Sequence, residues 1–197
     1  MNYVFEKEMN REISDRTIID NFAEEFCRVV GRHIKYIVVS GYVAIAHGIG
    51  RGTIDVDMII EKMRERDFAK MHEELVGEGF ECLQSSKADD IYEYLIAGDS
   101  VRYIRIGEDL PEMEVKFVKD EIDELQMRTR KKFPFTGLDV WFSSIEFNVA
   151  FKEGYLKTPK DMEDAKHLRI IYKDELDELL IEDIKKMIKR LRLEDEG

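Results

Sequence analysis

The chain has few of the residues that build disulfide-bonded, zinc-binding or membrane-spanning proteins. It contains two cysteines in 197 residues, Cys27 and Cys82, and neither belongs to a CxxC pair or a histidine cluster. Because disulfide frameworks and zinc sites need several such ligands, we expect two reduced, buried thiols instead. No apolar run approaches the roughly 20 residues that cross a bilayer, and the first residues do not combine a basic region with an apolar one. These absences predict a cytoplasmic protein that does not bind a membrane.

Positive charge and side-chain amides are also scarce. There are 43 acidic and 31 basic residues, a net charge of −12, and only four asparagines and two glutamines. The negative charge disfavours nonspecific binding to nucleic acid, which depends on neutralising phosphates. Few amides and a 38% share of charged residues resemble the composition of thermophile proteins. The dense basic cluster at residues 128–132 is the candidate for contacting RNA or an acidic partner.

Apolar residues make up 44% of the chain, enough for a globular core, and their spacing divides the chain in two. Residues 1–142 predict an α/β domain, and residues 143–197 predict a C-terminal helical region. Segment 90–97 fits either a hairpin strand or a helix that stops at Gly98, and we favour the helix. The predicted strands cover residues 36–39, 54–60, 80–83, 101–106, 114–118 and 138–142. The predicted helices include residues 14–31, 42–48, 64–77, 120–130, 160–171 and 174–192.

The chemistry of the chain is concentrated in residues 36–60. A buried strand is followed by Ser40-Gly41, a short helix, a glycine-rich loop and the sequence Asp55-Val-Asp57. Side chains alternate along a strand, so the two aspartates point to the same face. Two adjacent negative charges are unfavourable unless a cation neutralises them, and Mg²⁺ prefers carboxylate, water and phosphate oxygens. This pattern predicts a Mg²⁺ site.

The residues around the two aspartates suit a phosphate. Gly41 at the end of the strand allows the backbone to approach a phosphate closely, and the helix that follows presents free N–H groups to an anion. Arg51 and Thr53 lie just before the aspartates and could reach a triphosphate, arginine through forked hydrogen bonds. A phosphate held between a helix start and a metal is an arrangement for nucleotidyl or phosphoryl transfer.

With these residues the chain resembles the minimal nucleotidyltransferases of the DNA polymerase β superfamily. Ser40-Gly41 stands where that superfamily has Gly-Gly or Gly-Ser. The resemblance is strongest to the AbiEii-like branch, which is related to toxin–antitoxin systems. The residues matching that branch, in its order, are Gly41, Ala44, His47, Gly48, Arg51, Thr53, Asp55 and Asp57. A second matching block comprises Ser144, Glu146, Lys152, Lys160, Asp161 and Asp164.

The resemblance implies a fold and an activity. The fold is α/β (α+β), a nucleotidyltransferase-like small mixed sheet flanked by helices and followed by a helical region. The activity is Mg²⁺-dependent transfer of a nucleoside monophosphate from a nucleoside triphosphate to a hydroxyl of RNA such as tRNA, of a protein or of a small molecule. A toxin or antitoxin partner is implied as well, and the oligomeric state stays open. The alternative is a non-catalytic nucleotide-binding or toxin–antitoxin interaction module of the same fold; a third hypothesis is phosphoryl transfer by a kinase-like antitoxin.

The resemblance also implies roles for individual residues. Asp55 and Asp57 would bind the metal and act in catalysis. Independently of the resemblance, His47 is expected to form hydrogen bonds at a helix end rather than bind a metal. The expected nucleotide-binding residues are Ser40, Gly41, Arg51, Thr53 and Lys152.

The superfamily usually has a third carboxylate on a later strand. Glu114, an acid within an apolar strand, is the first candidate for this catalytic role, and Asp139 is the second. Simpler interpretations stay open for several of these residues. Asp55 and Asp57 could form a solvated strand edge, and Arg51 could be a surface residue. Glu114 could be no more than an ion-pair partner of Lys116. Lys152 could have only the structural role of joining helices through ion pairs.

Overall fold

The structure is a computed structural model that describes residues 17–50 and 55–193 of the chain. Within these residues the strands are β1 (Tyr36–Val39), β2 (Asp55–Ile60), β3 (Phe80–Cys82), β4 (Val101–Arg105) and β5 (Glu112–Phe117). The helices among and after them are α1 (Ile18–His33), α2 (Gly41–Ala46), α3 (Glu65–Gly77), α4 (Ala88–Ala97) and α5 (Glu121–Arg128). The remaining helices are α6 (Ile145–Phe151), α7 (Pro159–Ile171) and α8 (Glu178–Ile188), with π-helical turns at Lys152–Leu156 and Lys189–Leu193.

The described strands form one five-stranded sheet in the order β1-β2-β5-β4-β3. The central pair, β2 and β5, is parallel, and the other neighbours are antiparallel. A parallel pair needs a long crossover, and here the chain between β2 and β5 contains α3, β3, α4 and β4. The predicted fold class, a small mixed sheet flanked by helices, is confirmed.

The sheet has two different faces because side chains alternate along β2. Val56, Met58 and Ile60 belong to the main apolar core, together with buried side chains of α1 and α3. Asp55 and Asp57 lie on the opposite face, where their strand neighbours are polar. Helix α5 packs on part of this second face through Met127, and the part around the two aspartates is left available for a site.

Helix α1 provides much of the apolar cover. It begins at a capping box in which Thr17 and Asp20 exchange hydrogen bonds, which satisfies backbone groups that a helix start leaves free. Its buried Phe26 packs edge-on against Phe80 of β3, with ring centroids 5.1 Å apart, and also contacts Tyr103 of β4. One aromatic side chain thus joins the helix to two strands.

The helical part packs on the same core. Ser144 caps α6 by accepting a hydrogen bond from the Phe147 N–H, and Pro159 begins α7 as predicted. Phe147 and Val149 belong to the apolar cluster that contains the sheet residues. The division of the chain at residue 142 stays a prediction.

Three of the predicted elements need correction. Helix α1 covers Ile18–His33 rather than residues 14–31, because Thr17 caps its start and the helix continues through Gly31. Residues 138–142 do not form a strand: only Phe142 makes bridges, one to Val38 and one to Lys131. The reason is that Val38 of β1 exchanges backbone hydrogen bonds with Trp141 and Ser143, while the Tyr36 carbonyl accepts from the side chain of Arg130 instead. Helix α8 begins at Glu178 rather than at residue 174, because Asp177 caps it.

Other predictions are confirmed. Segment 90–97 lies in α4, which ends at Gly98 in the left-handed conformation that glycine favours, with φ 91°. Cys27 and Cys82 are buried free thiols, and burial raises the pKa of both. The described part of the chain contains no helix with the length and apolar character needed to cross a membrane.

The packing of Phe26 makes a quantitative prediction. Phe26→Ala should lower the free energy of unfolding by about 3–5 kcal/mol, because it leaves a cavity among well-packed rings. Leu179→Ala, at a side chain 81% exposed, should change it by less than about 0.5 kcal/mol. Urea denaturation followed by circular dichroism measures both, and similar losses in the two variants would contradict this account of the core.

Candidate active site

Four carboxylates face each other across the parallel pair of strands. In the ladder of β2 and β5, Asp55 lies opposite Glu112 and Asp57 lies opposite Glu114. Alternation along both strands puts all four side chains on the face that α1 does not cover. The predicted same-face aspartates are therefore met by two further acids from the neighbouring strand.

Asp57 lies in the least favourable environment for a negative charge. Burial raises the pKa of Asp57, and the charges of Glu114 and Asp55 raise it further. A hydrogen bond from Ser40 and the charge of Lys116 act in the opposite direction without cancelling the rise. A cation beside Asp57 would remove this penalty, because it favours the ionised carboxylate.

The backbone of Ser40 is strained. Its φ of 67° and ψ of −138° lie in a region that glycine adopts readily and other residues rarely do. Ser40 follows Val39, the residue opposite Asp57 in the antiparallel pair, and begins the turn into α2. Its hydroxyl is close enough to Asp57 to lower the pKa of that carboxyl. Ser40 thus combines a strained backbone with a side chain that favours the ionised acid.

Glu114 is held by an arginine on the next strand. Arg102 of β4 lies directly opposite Glu114, and its Nε and Nη2 both donate to Glu114 Oε2 at 3.2 Å. The same guanidinium lies 3.5 Å from Glu112. The suggested pairing of Glu114 with Lys116 is not found. In the part of the chain that the structure describes, Lys116 has no carboxylate within ion-pair distance.

The competing candidate for the third acid lies elsewhere. Asp139 is exposed and forms an ion pair with Lys132, and it lies away from the acids of β2 and β5. Its backbone N–H donates to Glu24 at 3.0 Å. It lines a different depression, beside Tyr36 on α1's side of the sheet. The geometry therefore favours Glu114.

The acids suit Mg²⁺, although they are not drawn together around one point. Among residues 17–50 and 55–193, no three Asp, Glu, His or Cys side chains converge closely enough to hold a metal ion. Mg²⁺ keeps several waters and is commonly bound by one or two carboxylates plus substrate phosphates. Asp55 and Asp57 provide that set, all oxygen donors, and burial, the main cause of the raised pKa of Asp57, is a penalty that a bound cation would offset.

A cavity of about 220 Å³ adjoins these acids. The sheet contributes Asp57, Glu114 and Lys116 to its wall, and the opposite wall is formed by α6 and the π-helical turn that follows it. The predicted cleft between the sheet and the helical part is thus present, a usual location for ligand sites. The side chains of the helical wall are Phe147, Asn148, Phe151, Lys152, Tyr155 and Leu156.

Two amides in this cavity were missed by sequence reasoning. Gln126 accepts a hydrogen bond from the Ser143 hydroxyl at 2.8 Å, and Asn148 donates to the Ser144 carbonyl at 2.8 Å. Both line the cavity beside the acids. The available signal was their rarity, because the chain has only six amide side chains in all.

Lys152 also lines the cavity, and its ammonium is engaged in a buried ion pair. Its Nζ lies 2.7 Å from Asp164 and 3.5 Å from Asp161, both on α7. The simpler interpretation, that these residues join helices, therefore describes the contacts found. A role of Lys152 toward a nucleotide stays a prediction. Lys116 is the cation of this cavity that lacks a carboxylate partner among the described residues.

The other predicted residues divide into two groups. Arg51 and Thr53 lie outside the described residues, and Gly41 is the first residue of α2, directly after Ser40. His47 forms hydrogen bonds at the end of α2, as predicted. Its Nδ1 donates to the Val43 carbonyl at 2.7 Å, which leaves Nε2 to accept from the Tyr172 hydroxyl at 2.9 Å.

The order of the strands, with paired acids beside a cavity, fits one class of fold. The fold is nucleotidyltransferase-like. The structure is similar to that of an antigenic nucleotidyltransferase-like protein from Paracoccidioides brasiliensis, with a TM-score of 0.52, 14% identity and 89% of each chain covered. It is also similar to the antibiotic-resistance factor ANT(2'')-Ia, with a TM-score of 0.51, 14% identity, and 90% of this chain and 95% of that chain covered. No protein-family model and no curated protein matches the sequence. At this identity the likeness extends to the fold alone.

The environment of Asp57 predicts that the folded chain loses stability as the pH rises. Its folded-state pKa is raised above the ordinary value of 3.8, so the folded chain holds more protons than the unfolded one and loses stability as pH rises. Asp57→Asn should therefore raise the melting temperature at about pH 7 and raise it less at about pH 4. Calorimetry at the two pH values measures this, with the exposed Asp139→Asn as control. A lower melting temperature for Asp57→Asn at pH 7 would contradict the prediction.

The buried ion pair of Lys152 predicts a large loss of stability. Lys152→Met should lower the free energy of unfolding by about 3–5 kcal/mol, since it breaks a buried ion pair by removing the cation alone. Replacing both residues, Lys152→Met with Asp164→Leu, should recover part of that loss. Lys186→Met, which removes an exposed pair with Asp183, should change stability by less than about 1 kcal/mol. Equal effects of the two lysine variants in urea denaturation would contradict a structural role for Lys152.

Proposed function

We propose that the chain is a Mg²⁺-dependent nucleotidyltransferase that moves a nucleoside monophosphate from a nucleoside triphosphate to a hydroxyl group. One observation carries the proposal. Asp57 is half-buried, has a raised pKa and lies directly opposite Glu114 beside the strained Ser40, all at the edge of one cavity. Strain and charge crowding of this kind are typical of functional sites. The nucleotidyltransferase-like fold supports the same class of chemistry.

The proposed roles follow from these positions. Asp55 and Asp57 hold the metal, which when bound neutralises charge on the phosphate and activates the attacking oxygen. The Ser40 hydroxyl fixes the orientation of Asp57 through its hydrogen bond. Glu114, once free of Arg102, would accept the proton of the acceptor hydroxyl.

The nucleotide would lie in the cavity. Ser40 and Gly41 would contact its phosphates, as would Arg51 and Thr53. Lys116, which has no carboxylate partner in the described part of the chain, joins Lys152 as a candidate for contacting the triphosphate. The aromatic wall formed by α6 and its π-helical turn suits a flat, apolar ring.

The acceptor is a hydroxyl of RNA such as tRNA, of a protein or of a small molecule. The basic cluster at residues 128–132 supports a macromolecular acceptor. Within it, Arg130 lies 4.4 Å from the ring centre of Trp141, and Lys132 lies 5.1 Å from it. A toxin or antitoxin partner, implied by the AbiEii-like resemblance, belongs to the same proposal.

A second candidate function has its own supporting observation. Glu114 is bound to Arg102, and no three acids of the described residues converge on one point. A non-catalytic module of this fold, which holds a nucleotide or a partner without turnover, would retain such an arrangement. The two functions differ in whether nucleotide is consumed.

The decisive experiment follows the label of a nucleoside triphosphate. The purified chain is incubated with Mg²⁺, bulk tRNA or cell lysate, and each triphosphate labelled at either the α- or the γ-phosphate. Nucleotidyl transfer predicts that α-label enters the acceptor. Entry of γ-label instead would indicate phosphoryl transfer, and binding without any transfer would favour the non-catalytic module.

Two carboxylate variants test the assignment of the acids. Asp57→Asn should lower α-label transfer by at least about a hundredfold, because metal-dependent charge stabilisation contributes several kcal/mol. Asp139→Asn, at an exposed acid outside the cavity, should transfer label at the normal rate. Unchanged label transfer by Asp57→Asn would refute the metal site. Loss of label transfer by Asp139→Asn would assign the role of third acid to Asp139 instead of Glu114.

A further inference from the structure

Arg102 lies in the acidic row at the centre of the sheet. Across four neighbouring strands, Val39, Asp57, Glu114 and Arg102 are successive cross-strand partners. Arg102 is thus separated from Asp57 by a single residue, Glu114. Among the described residues, strand pairing thus connects this guanidinium to Asp57 through Glu114.

The guanidinium of Arg102 contacts acids of this face. Two of its nitrogens bind Glu114 Oε2, and Nε also approaches Glu112. The charges of Glu114, Glu112 and Asp55 together raise the pKa of Arg102. One arginine therefore serves as the cation for a group of acids that otherwise repel one another.

Glu114 has two possible neighbours and contacts only one of them. On the β4 side it accepts both hydrogen bonds of Arg102 through Oε2. On the β2 side lies Asp57, its direct partner in the parallel ladder. With Glu114 turned to Arg102, the described acids do not form a three-carboxylate group.

We propose that Arg102 competes with the divalent metal for Glu114. In the metal-free chain Arg102 holds Glu114 away from Asp55 and Asp57, and a cation bound at those two acids draws Glu114 from β4 toward β2. This inference rests on the proposed function, because it takes Asp55 and Asp57 as metal ligands. The Arg102 side chain is 51% exposed and that of Glu114 is 30% exposed. Partly exposed pairs of this kind are weak enough for a divalent cation to displace.

The test measures metal affinity without any turnover. Isothermal titration of the full chain with Mn²⁺, in the absence of nucleotide, compares the wild type with Arg102→Gln. Loss of the competing cation should tighten Mn²⁺ binding by about two- to fivefold, the range expected for a partly exposed ion pair. Circular dichroism checks that each variant is folded.

The same strand offers a matched control. Arg105 lies three residues further along β4, contacts Glu25 and lies 4.6 Å from the ring centre of Phe80. Arg105→Gln changes the net charge by the same amount as Arg102→Gln but removes no contact to Glu114. It should leave Mn²⁺ affinity at the wild-type value.

A double-variant cycle separates competition from a general charge effect. In a chain that already carries Glu114→Gln, the further change Arg102→Gln should tighten Mn²⁺ binding little, because no carboxylate remains to be released. An equal gain with and without Glu114 would overturn the proposal, as would equal or weaker binding by Arg102→Gln in the wild-type background. If neither the wild type nor Arg102→Gln binds Mn²⁺, the metal site of the proposed function fails together with the inference. Binding by the wild type without a gain in Arg102→Gln overturns the inference alone.

Discussion

The structure depends on the repulsion between carboxylates that two parallel strands place side by side. Asp57 and Glu114 are direct partners in the ladder, and partial burial of Asp57 strengthens their interaction. A chain selected for stability alone would place apolar or oppositely charged residues here. The surrounding contacts, Ser40 on Asp57 and Arg102 on Glu114, each relieve part of the same repulsion.

The strained backbone of Ser40 lowers the stability of the fold, and the same residue helps to maintain the site. Ser40 keeps a backbone conformation that costs about 1–3 kcal/mol for a residue other than glycine, and its hydroxyl orients Asp57. The cost is met by the core on the opposite face, where Phe26 and Phe80 join α1 to the sheet. The buried pair of Lys152 with Asp164 then joins the π-helical turn after α6 to α7 beside the cavity. Stable packing on one side thus supports an unfavourable charge arrangement on the other.

The sequence was sufficient for whatever depends on local periodicity. Alternation predicted the common face of Asp55 and Asp57, and an acid within an apolar strand pointed to Glu114. Partners fixed by tertiary register were out of reach, because only the pairing of β4 with β5 brings Arg102 to Glu114. Tertiary pairing also explains why residues 138–142 were wrongly predicted to be a strand. Alternating apolar residues do not reveal that this segment exchanges backbone hydrogen bonds with β1 at Val38. Gln126 and Asn148 line the same cavity only because separate helices, α5 and α6, converge there.

The most direct test of this account is a crystal structure with Mg²⁺ and a nonhydrolysable nucleoside triphosphate. The account predicts a metal ion on Asp55 and Asp57, phosphates beside Ser40 and Gly41, and Glu114 turned away from Arg102. A nucleotide bound away from these acids, or bound beside them with no metal ion, would contradict it.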